Sequence, residues 1–200
     1  MESTAALDRL RAALARATPA AHGAFAPEAA VAAVLRDGSG GLDLLFIRRA
    51  EKRGDPWSGH MAWPGGHVDD DDPSPLATAI RETREELELD IERHGELVGA
   101  LPVVRTHLRK GPGPRHVAPF VFAVHGDPPL QPNHEVQEAM WVPLAYLLDR
   151  RNRGRFVFMG RGLPVVLPCY RYQGRVIWGL TLRMIEDLLA LLEPKPTSSP

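Results

Sequence analysis

Apolar positions in this chain change period several times, and each change marks an element. Leu7, Leu10 and Leu14 recur at helical spacing, so residues 4 to 16 read as a short amphipathic helix on the domain surface. Thr18 to Pro27 lacks such a period and reads as a linker. Two apolar runs, Ala29 to Leu35 and Leu42 to Ile47, flank Asp37-Gly38-Ser39-Gly40-Gly41, the pattern of two strands joined as a hairpin. A glycine- and proline-bearing stretch, Gly54 to Gly66, then leads into a helix treated below. Leu97 to Val104 and His116 to Val124 are β-rich and bracket Arg109-Lys110-Gly111-Pro112-Gly113-Pro114, which is too rich in proline for a strand. Trp141-Val142-Pro143 closes a strand, Leu144 to Asp149 turns helical, and Ile177 to Leu192 reads as a final amphipathic helix stopped by Pro194. This irregular alternation predicts a mixed α+β sandwich rather than a doubly wound parallel sheet.

One helix has a back face that explains packing and a front face that does not. Ser74-Pro75 is a good start, because serine caps free N–H groups and proline suits the first helical position. At about 100° per residue, Leu76, Ala79, Ile80, Thr83 and Leu87 gather on one side, and Arg81, Glu82, Glu85 and Glu86 on the other. Glutamates at these spacings repel, by a few tenths of a kcal/mol per pair. The same spacing lets carboxylates converge on a hard divalent cation, which prefers oxygen ligands. A charge run alone is ordinarily a solvated face. Here it follows Pro64-Gly65-Gly66 and the acidic loop Asp69 to Asp72, so a tight turn and further carboxylates stand at the same helix's start.

Composition narrows the setting. The chain has 200 residues, 44% hydrophobic and 24% charged, enough for one core, expected over residues 28–193 with a helix and linker at 1–27 and a disordered tail at 194–200. A net charge of −1 offers no global field for nucleic acid or an anionic membrane, so an anionic substrate needs a local device such as a bound cation. Cys169 is the single cysteine, which excludes an internal disulfide and fits a reducing cytoplasm. There is no apolar run of the ~18 residues a membrane span needs, and the alanine-rich start lacks the pattern of a signal peptide.

The segment Gly65 to Leu89 resembles the Nudix box. Gly66 fits its first glycine, Asp72 its leading acid, and Arg81-Glu82-Thr83-Arg84-Glu85-Glu86 its core. Two positions depart from the pattern. The gap from Asp72 to Arg81 is one residue longer than in the general box, which resembles the coenzyme A pyrophosphatase branch. Glu88 stands where glycine is usual, and glycine there would suit a left-handed cap, so the helix end is open to a different form. The resemblance implies a Nudix-type α/β/α sandwich with a mixed β-sheet. It also implies Mg²⁺ or Mn²⁺ on Glu82, Glu85 and Glu86, with Arg81 holding a carboxylate by paired hydrogen bonds. The implied reaction is cleavage of a nucleoside diphosphate linked to another group, with coenzyme A or an acyl derivative as the leading substrate. ADP-ribose, a dinucleotide or a nucleoside triphosphate is the alternative within the same chemistry, and a non-catalytic nucleotide-binding module the alternative outside it.

Several further residues bear on the substrate. Leu45 to Arg49 and Gly54 to Gly66 look like the same branch, with Arg48 and Arg49 as phosphate contacts or simple strand-end charges, and Gly65 and Gly66 close to the substrate. Trp57 and Trp63 read as packing anchors before base-stacking groups, and His60 and His67 as neighbours of phosphate but not as zinc ligands. Arg105, Arg109, Lys110 and Arg115 form a basic patch suited to a 3′-phosphate or to solvent. Glu135 and Glu138 lie where some family members carry a distal glutamate, so the general base is Glu85 or one of these. A small-molecule nucleoside diphosphate derivative is the expected partner, and a homodimer is left open.

Overall fold

The computed structural model describes residues 3–16, 26–53, 57–106, 116–160 and 163–193. In chain order the elements are α1 (Ser3–Arg16), β1 (Ala29–Gly38), β2 (Gly41–Arg49), β3 (Met61–Ala62), β4 (Gly65–His67), α2 (Pro75–Leu87), α3 (Ile91–His94) and β5 (Gly95–Ala100). There follow β6 (Val104–Arg105), β7 (His116–Val124), β8 (Val136–Pro143), α4 (Leu144–Leu148), β9 (Arg153–Gly160), β10 (Leu163–Tyr172), β11 (Arg175–Trp178) and α5 (Gly179–Ala190).

The central sheet is mixed, as expected. Its path runs β3-β2-β1-β7-β5, with β8 on β2, β4 on β1 and β6 on β7. β1 and β7 are parallel, in register from Ala29↔Val117 to Arg36↔Val124, and the remaining pairings are antiparallel. Most of β7 is buried along its whole length, as a strand covered on both faces must be.

Two apolar clusters show what covers each face. Phe46, Leu44, Val121 and Trp63 pack with α1, α4 and α5 residues such as Leu10, Leu147, Ile185 and Leu188 on one side. Leu45, Ile47, Phe122 and Val34 pack with Ala79 and Leu87 of α2 and with Leu89 and Ile91 on the other. Successive strand residues point to opposite faces, so the two clusters are the odd and even positions of the same strands.

The β1–β2 hairpin is in register from Gly38↔Gly41 to Leu35↔Leu44, a tighter turn than Asp37 to Gly41 suggests. Past this closed end its strands splay, and the segment 61–67 fills the fork. β3 pairs with β2 at Ile47↔Ala62 and Arg48↔Met61, while β4 pairs with β1 from Ala29↔His67 to Val31↔Gly65. Between them the Ala32 N–H donates to the Pro64 carbonyl at 2.8 Å. The glycine turn is therefore wedged into the sheet.

Three expectations are corrected. Ile177 and Trp178 end β11, and the last helix starts at Gly179, whose φ of +66° turns the chain out of the strand. The span Leu97 to Val104 is two strands, interrupted at Leu101-Pro102-Val103. A separate three-stranded antiparallel sheet, β11-β10-β9, fills residues 153–178, where the apolar pattern suggested no element before the helix expected from Ile177. No described helix is long and apolar enough to cross a membrane. Of the expected linker, loop and tail, residues 17–25, 54–56, 107–115 and 194–200 lie outside the described residues, and with them Arg109, Lys110 and Arg115.

Candidate metal centre

Helix α2 begins as its sequence predicts. Ser74 is the cap, accepting the Ala77 N–H on its hydroxyl at 3.2 Å, and Pro75 opens the first turn. Its end is less ordinary. Glu88 sits at φ 53°, ψ 21°, and its N–H donates to the Arg84 carbonyl at 2.8 Å. The left-handed cap that glycine would favour is thus present, held by a residue with a Cβ. Such a conformation costs on the order of 1 kcal/mol for a non-glycine residue.

The segment between β7 and β8 secures that end from outside. The Asn133 N–H donates to the Glu86 carbonyl at 2.9 Å, its side-chain amide to the Glu85 carbonyl at 2.9 Å, and the Gln131 N–H to the Leu87 carbonyl at 2.8 Å. These satisfy carbonyls that a helix end leaves bare. Asn133 also accepts the Glu135 N–H at 2.7 Å. One asparagine therefore ties the helix end to Glu135. Sequence reading passed over Asn133 because its signal, an amide two residues before an acid, is common in turns.

Arg81 is the organising cation. Its Nε and Nη2 donate to the two carboxylate oxygens of Asp72, each at 3.0 Å, a fork-to-fork pair. Its Nη1 donates to Glu82 Oε1 at 3.0 Å and to Glu85 Oε2 at 3.1 Å. The carboxylate expected for Arg81 is therefore four carboxylates, with Asp72 held by Nε and Nη2, Glu82 and Glu85 by Nη1, and Asp69 at 3.4 Å from Nη2. Asp72 also accepts Thr78 Oγ1 at 2.8 Å and the Asp69 N–H at 3.0 Å. The Arg81 guanidinium, and behind it these smaller donors, hold the Asp72 carboxyl well below the usual carboxylate range.

Glu86 differs from the reading of an acidic outer face. It is 2% exposed and lies with Thr78, Ala79, Thr83 and Leu87 on the buried side. Burial pushes its carboxyl up to about 8, with Glu82 and Glu135 adding to the rise and the Gly65 N–H and Arg49 opposing it. The Gly65 N–H donates to Glu86 Oε2 at 2.9 Å. Glu82 is raised too, first by burial, while the neighbouring Arg81 counters.

The two glycines make room for these acids. A Cβ on Gly66 would stand 2.5 Å from the Glu82 carboxyl carbon, and one on Gly65, at φ +149°, would stand 2.6 Å from Val31 Cα. Gly66 leaves space for the carboxylate, and Gly65 lets the turn approach β1.

The remaining candidates separate. Arg49 acts on Glu86, whereas Arg48, one residue earlier, points to the opposite sheet face and reaches Glu51 at 3.4 Å. Glu135 lies close enough to raise Glu82 and Glu86, but Glu138 pairs across the sheet with Arg48 and accepts Arg175 Nε at 2.7 Å, away from α2. Trp63 is a core residue at the fork, as an anchor should be. His67 offers its carbonyl to Arg81 Nη2 at 3.3 Å, and His60 packs edge-on against Trp178. Arg105 ends β6.

Among the described residues no three His, Cys, Asp or Glu side chains already converge as a metal cage. The reason is visible in their partners: Arg81 draws Glu82 and Glu85 together, and Gly65 holds one oxygen of Glu86. The guanidinium stands as the positive charge between two carboxylates. Hard oxygen donors, a buried and poorly compensated carboxylate and a glycine-made space fit a divalent cation.

Residues 26–159 match the family model described as NUDIX domain. The mitochondrial coenzyme A diphosphatase NUDT8 of Homo sapiens is 36% identical over 156 residues, covering 76% of this chain and 63% of that protein. This chain therefore spans less than two thirds of the human relative. The Mus musculus protein of the same name is 33% identical over 155 residues, covering 76% of this chain and 71% of its own. Among solved structures, the NUDIX domain of Shewanella oneidensis NrtR, complexed with ADP ribose, aligns with a TM-score of 0.54 at 19% identity, covering 90% of this chain and 96% of that one. That likeness concerns the fold.

Proposed function

The chain belongs to the Nudix family, and on that premise we propose that residues 28–193 form a catalytic domain that hydrolyses the diphosphate of coenzyme A or acyl-coenzyme A. The products are 3′,5′-ADP and (acyl-)phosphopantetheine. The observation that carries the reading is the buried Glu86 beside Glu82, facing a glycine turn whose Gly65 N–H donates to it at 2.9 Å. The resemblance to coenzyme A diphosphatases over most of the chain selects this substrate over ADP-ribose, dinucleotides and nucleoside triphosphates. A cytoplasmic setting is part of the proposal, resting on the lone Cys169.

Glu82, Glu85 and Glu86 would hold Mg²⁺ or Mn²⁺, which when bound supplies charge neutralisation at the diphosphate and a more acidic water. Arg81, anchored on Asp72, would aim Glu82 and Glu85 from behind for that ligand role. Arg49 sits on the same sheet face as Glu86 and is placed for a phosphate oxygen, a task that Arg48 on the far face leaves to it. Gly65 and Gly66 let backbone approach the diphosphate closely. The water's proton goes to a carboxylate, either Glu85, half-exposed on α2, or Glu135, fixed by Asn133. Glu135→Gln separates the two: turnover lost with metal binding intact by titration calorimetry identifies Glu135 as the base, and turnover kept identifies Glu85, whose own Gln variant should weaken metal binding as well.

The test of the whole reading is a product-mass screen with Mg²⁺ and Mn²⁺ over coenzyme A, acyl-coenzyme A, ADP-ribose, NADH, dinucleoside polyphosphates and nucleoside triphosphates. The expected result is 3′,5′-ADP from coenzyme A and its thioesters. Turnover confined to substrates without the pantetheine arm would overturn it.

A further inference from the structure

The three-stranded sheet has two faces fixed by its register. Phe156 opposes Leu167, Phe158 opposes Val165, and Cys169 opposes Trp178, so these side chains share one face. Trp178 is the centre of that face. Its ring lies 4.9 Å from Phe156, 4.8 Å from Phe158 and 4.7 Å from His60. The aromatic residues are half-buried, and the face then runs outward to Val165, 44% exposed, and Leu163, 69% exposed. It is a continuous apolar track with aromatic rings at the inner end and aliphatic groups at the outer end.

His60 joins this track to the metal centre. Its carbonyl accepts the Arg49 N–H at 3.0 Å, and Arg49 is the arginine on the face of Glu86. From His60 the chain enters β3 and, five residues on, reaches Gly65. An extended chain of that length spans at most about 18 Å. The track therefore starts within one extended substrate arm of the glycine turn. Rings with a polar edge suit an amide-bearing linker, and the aliphatic end suits hydrocarbon.

We propose that Trp178, His60 and Phe158 grip the part of the substrate beyond the diphosphate, and that Val165 and Leu163 receive an acyl chain on it. This rests on the diphosphate hydrolysis proposed above, and it makes the hairpin a specificity element that ranks thioesters by chain length.

The test compares acetyl-, octanoyl- and dodecanoyl-coenzyme A with coenzyme A itself. Each methylene buried is worth up to roughly fourfold in affinity, so KM is expected to fall at least ~10-fold from acetyl to dodecanoyl, allowing for partial burial. Val165→Asp and Leu163→Asp, both at exposed positions, should erase that gain, so that KM no longer falls with chain length. Trp178→Phe reports folding through retained turnover, and Trp178→Ala should raise KM for every coenzyme A substrate without lowering kcat in proportion. Tryptophan fluorescence of the metal-free protein with dodecanoyl-coenzyme A measures binding apart from chemistry. Binding that Val165→Asp weakens, without hydrolysis, would uphold the track and sink the reaction. Hydrolysis with a KM flat across chain length and insensitive to Val165→Asp would sink the track and leave the reaction standing. A sedimentation shift caused by Val165→Asp with unchanged KM would overturn the proposal in favour of self-association.

Discussion

Helix α2 and the β9–β10 hairpin depart from ordinary burial in opposite directions. The helix places a carboxylate inside, where a charge is disfavoured. The hairpin places Val157, Met159 and Val166 outside, at 59%, 63% and 58% exposure, on the face opposite the aromatic track. The helix is held from every side: Ser74 at its start, Asn133 and Gln131 at its end, Asp72 behind Arg81, and Gly65 against Glu86. The hairpin beyond Tyr170 has its own ladder and little else. A buried charge must be supported by the fold around it, because the desolvation is suffered in the folded state itself. Exposed hydrocarbon needs no such support, since its cost is only the gain forgone. The first kind of exception is thus fixed by internal contacts, and the second by what comes to the surface.

Glu86→Gln strikes this contrast hardest. It keeps the shape and the Gly65 hydrogen bond while removing the charge, so metal-dependent turnover should fall by well over ~100-fold, exceeding the loss expected from outer-shell partners alone. Steady-state kinetics with circular dichroism would check it, and near-normal turnover in a folded protein would show that the buried acid is merely tolerated. Gly66→Ala comes next. Its Cβ displaces the Glu82 carboxylate, and divalent affinity should weaken by about 10- to 100-fold, measurable by titration calorimetry.

A smaller effect concerns pH in a chelating buffer. The folded protein raises Glu86 from 4.5 to about 8, so between those values the folded state holds a proton that the unfolded chain has released. Metal-free stability should therefore fall as pH rises through this window and level off above it. Thermal melts of the native protein and of Glu86→Gln would show the slope in the first and its flattening in the second. Smallest of all, Val157→Thr and Val166→Thr should change stability by no more than about 0.5 kcal/mol in denaturant titrations. A larger loss would mean that this face is packed in solution and that the contrast with α2 is weaker than it looks.

What could be read from sequence follows the same division. The start of α2, the β1–β2 hairpin, β7 and α4 were legible because capping residues, a glycine turn and apolar period are local signals. The glutamates were legible as a group, but Glu86 could not be assigned to the inside. Helical angle puts it with the acids, and only the glycine turn wedged between β1 and β2 gives a buried carboxylate its donor. Arg48 and Arg49 looked equivalent as neighbours until strand alternation separated them, and Glu138 likewise left the site through its pairing with Arg175. The sheet at residues 153–178 escaped notice because its apolar residues lie on both faces, which blurs the alternation by which a half-buried strand is recognised. Glu88 taught the reverse lesson: the end that its side chain left open to a different form keeps the left-handed conformation that glycine would have supplied.

The parallel pairing of β1 with β7 has a consequence for how the molecule comes to exist. The match Ala29↔Val117 closes a loop that contains the glycine turn, the acidic loop and all of α2. Such closures are entropically slow to make, and topologies that depend on them have high contact order. A local helix can set Glu82, Glu85 and Glu86 side by side, but the burial of Glu86 and its Gly65 donor come only with the long-range pairing. The proposed metal site would therefore be complete only once β1 and β7 have paired, however early α2 itself forms.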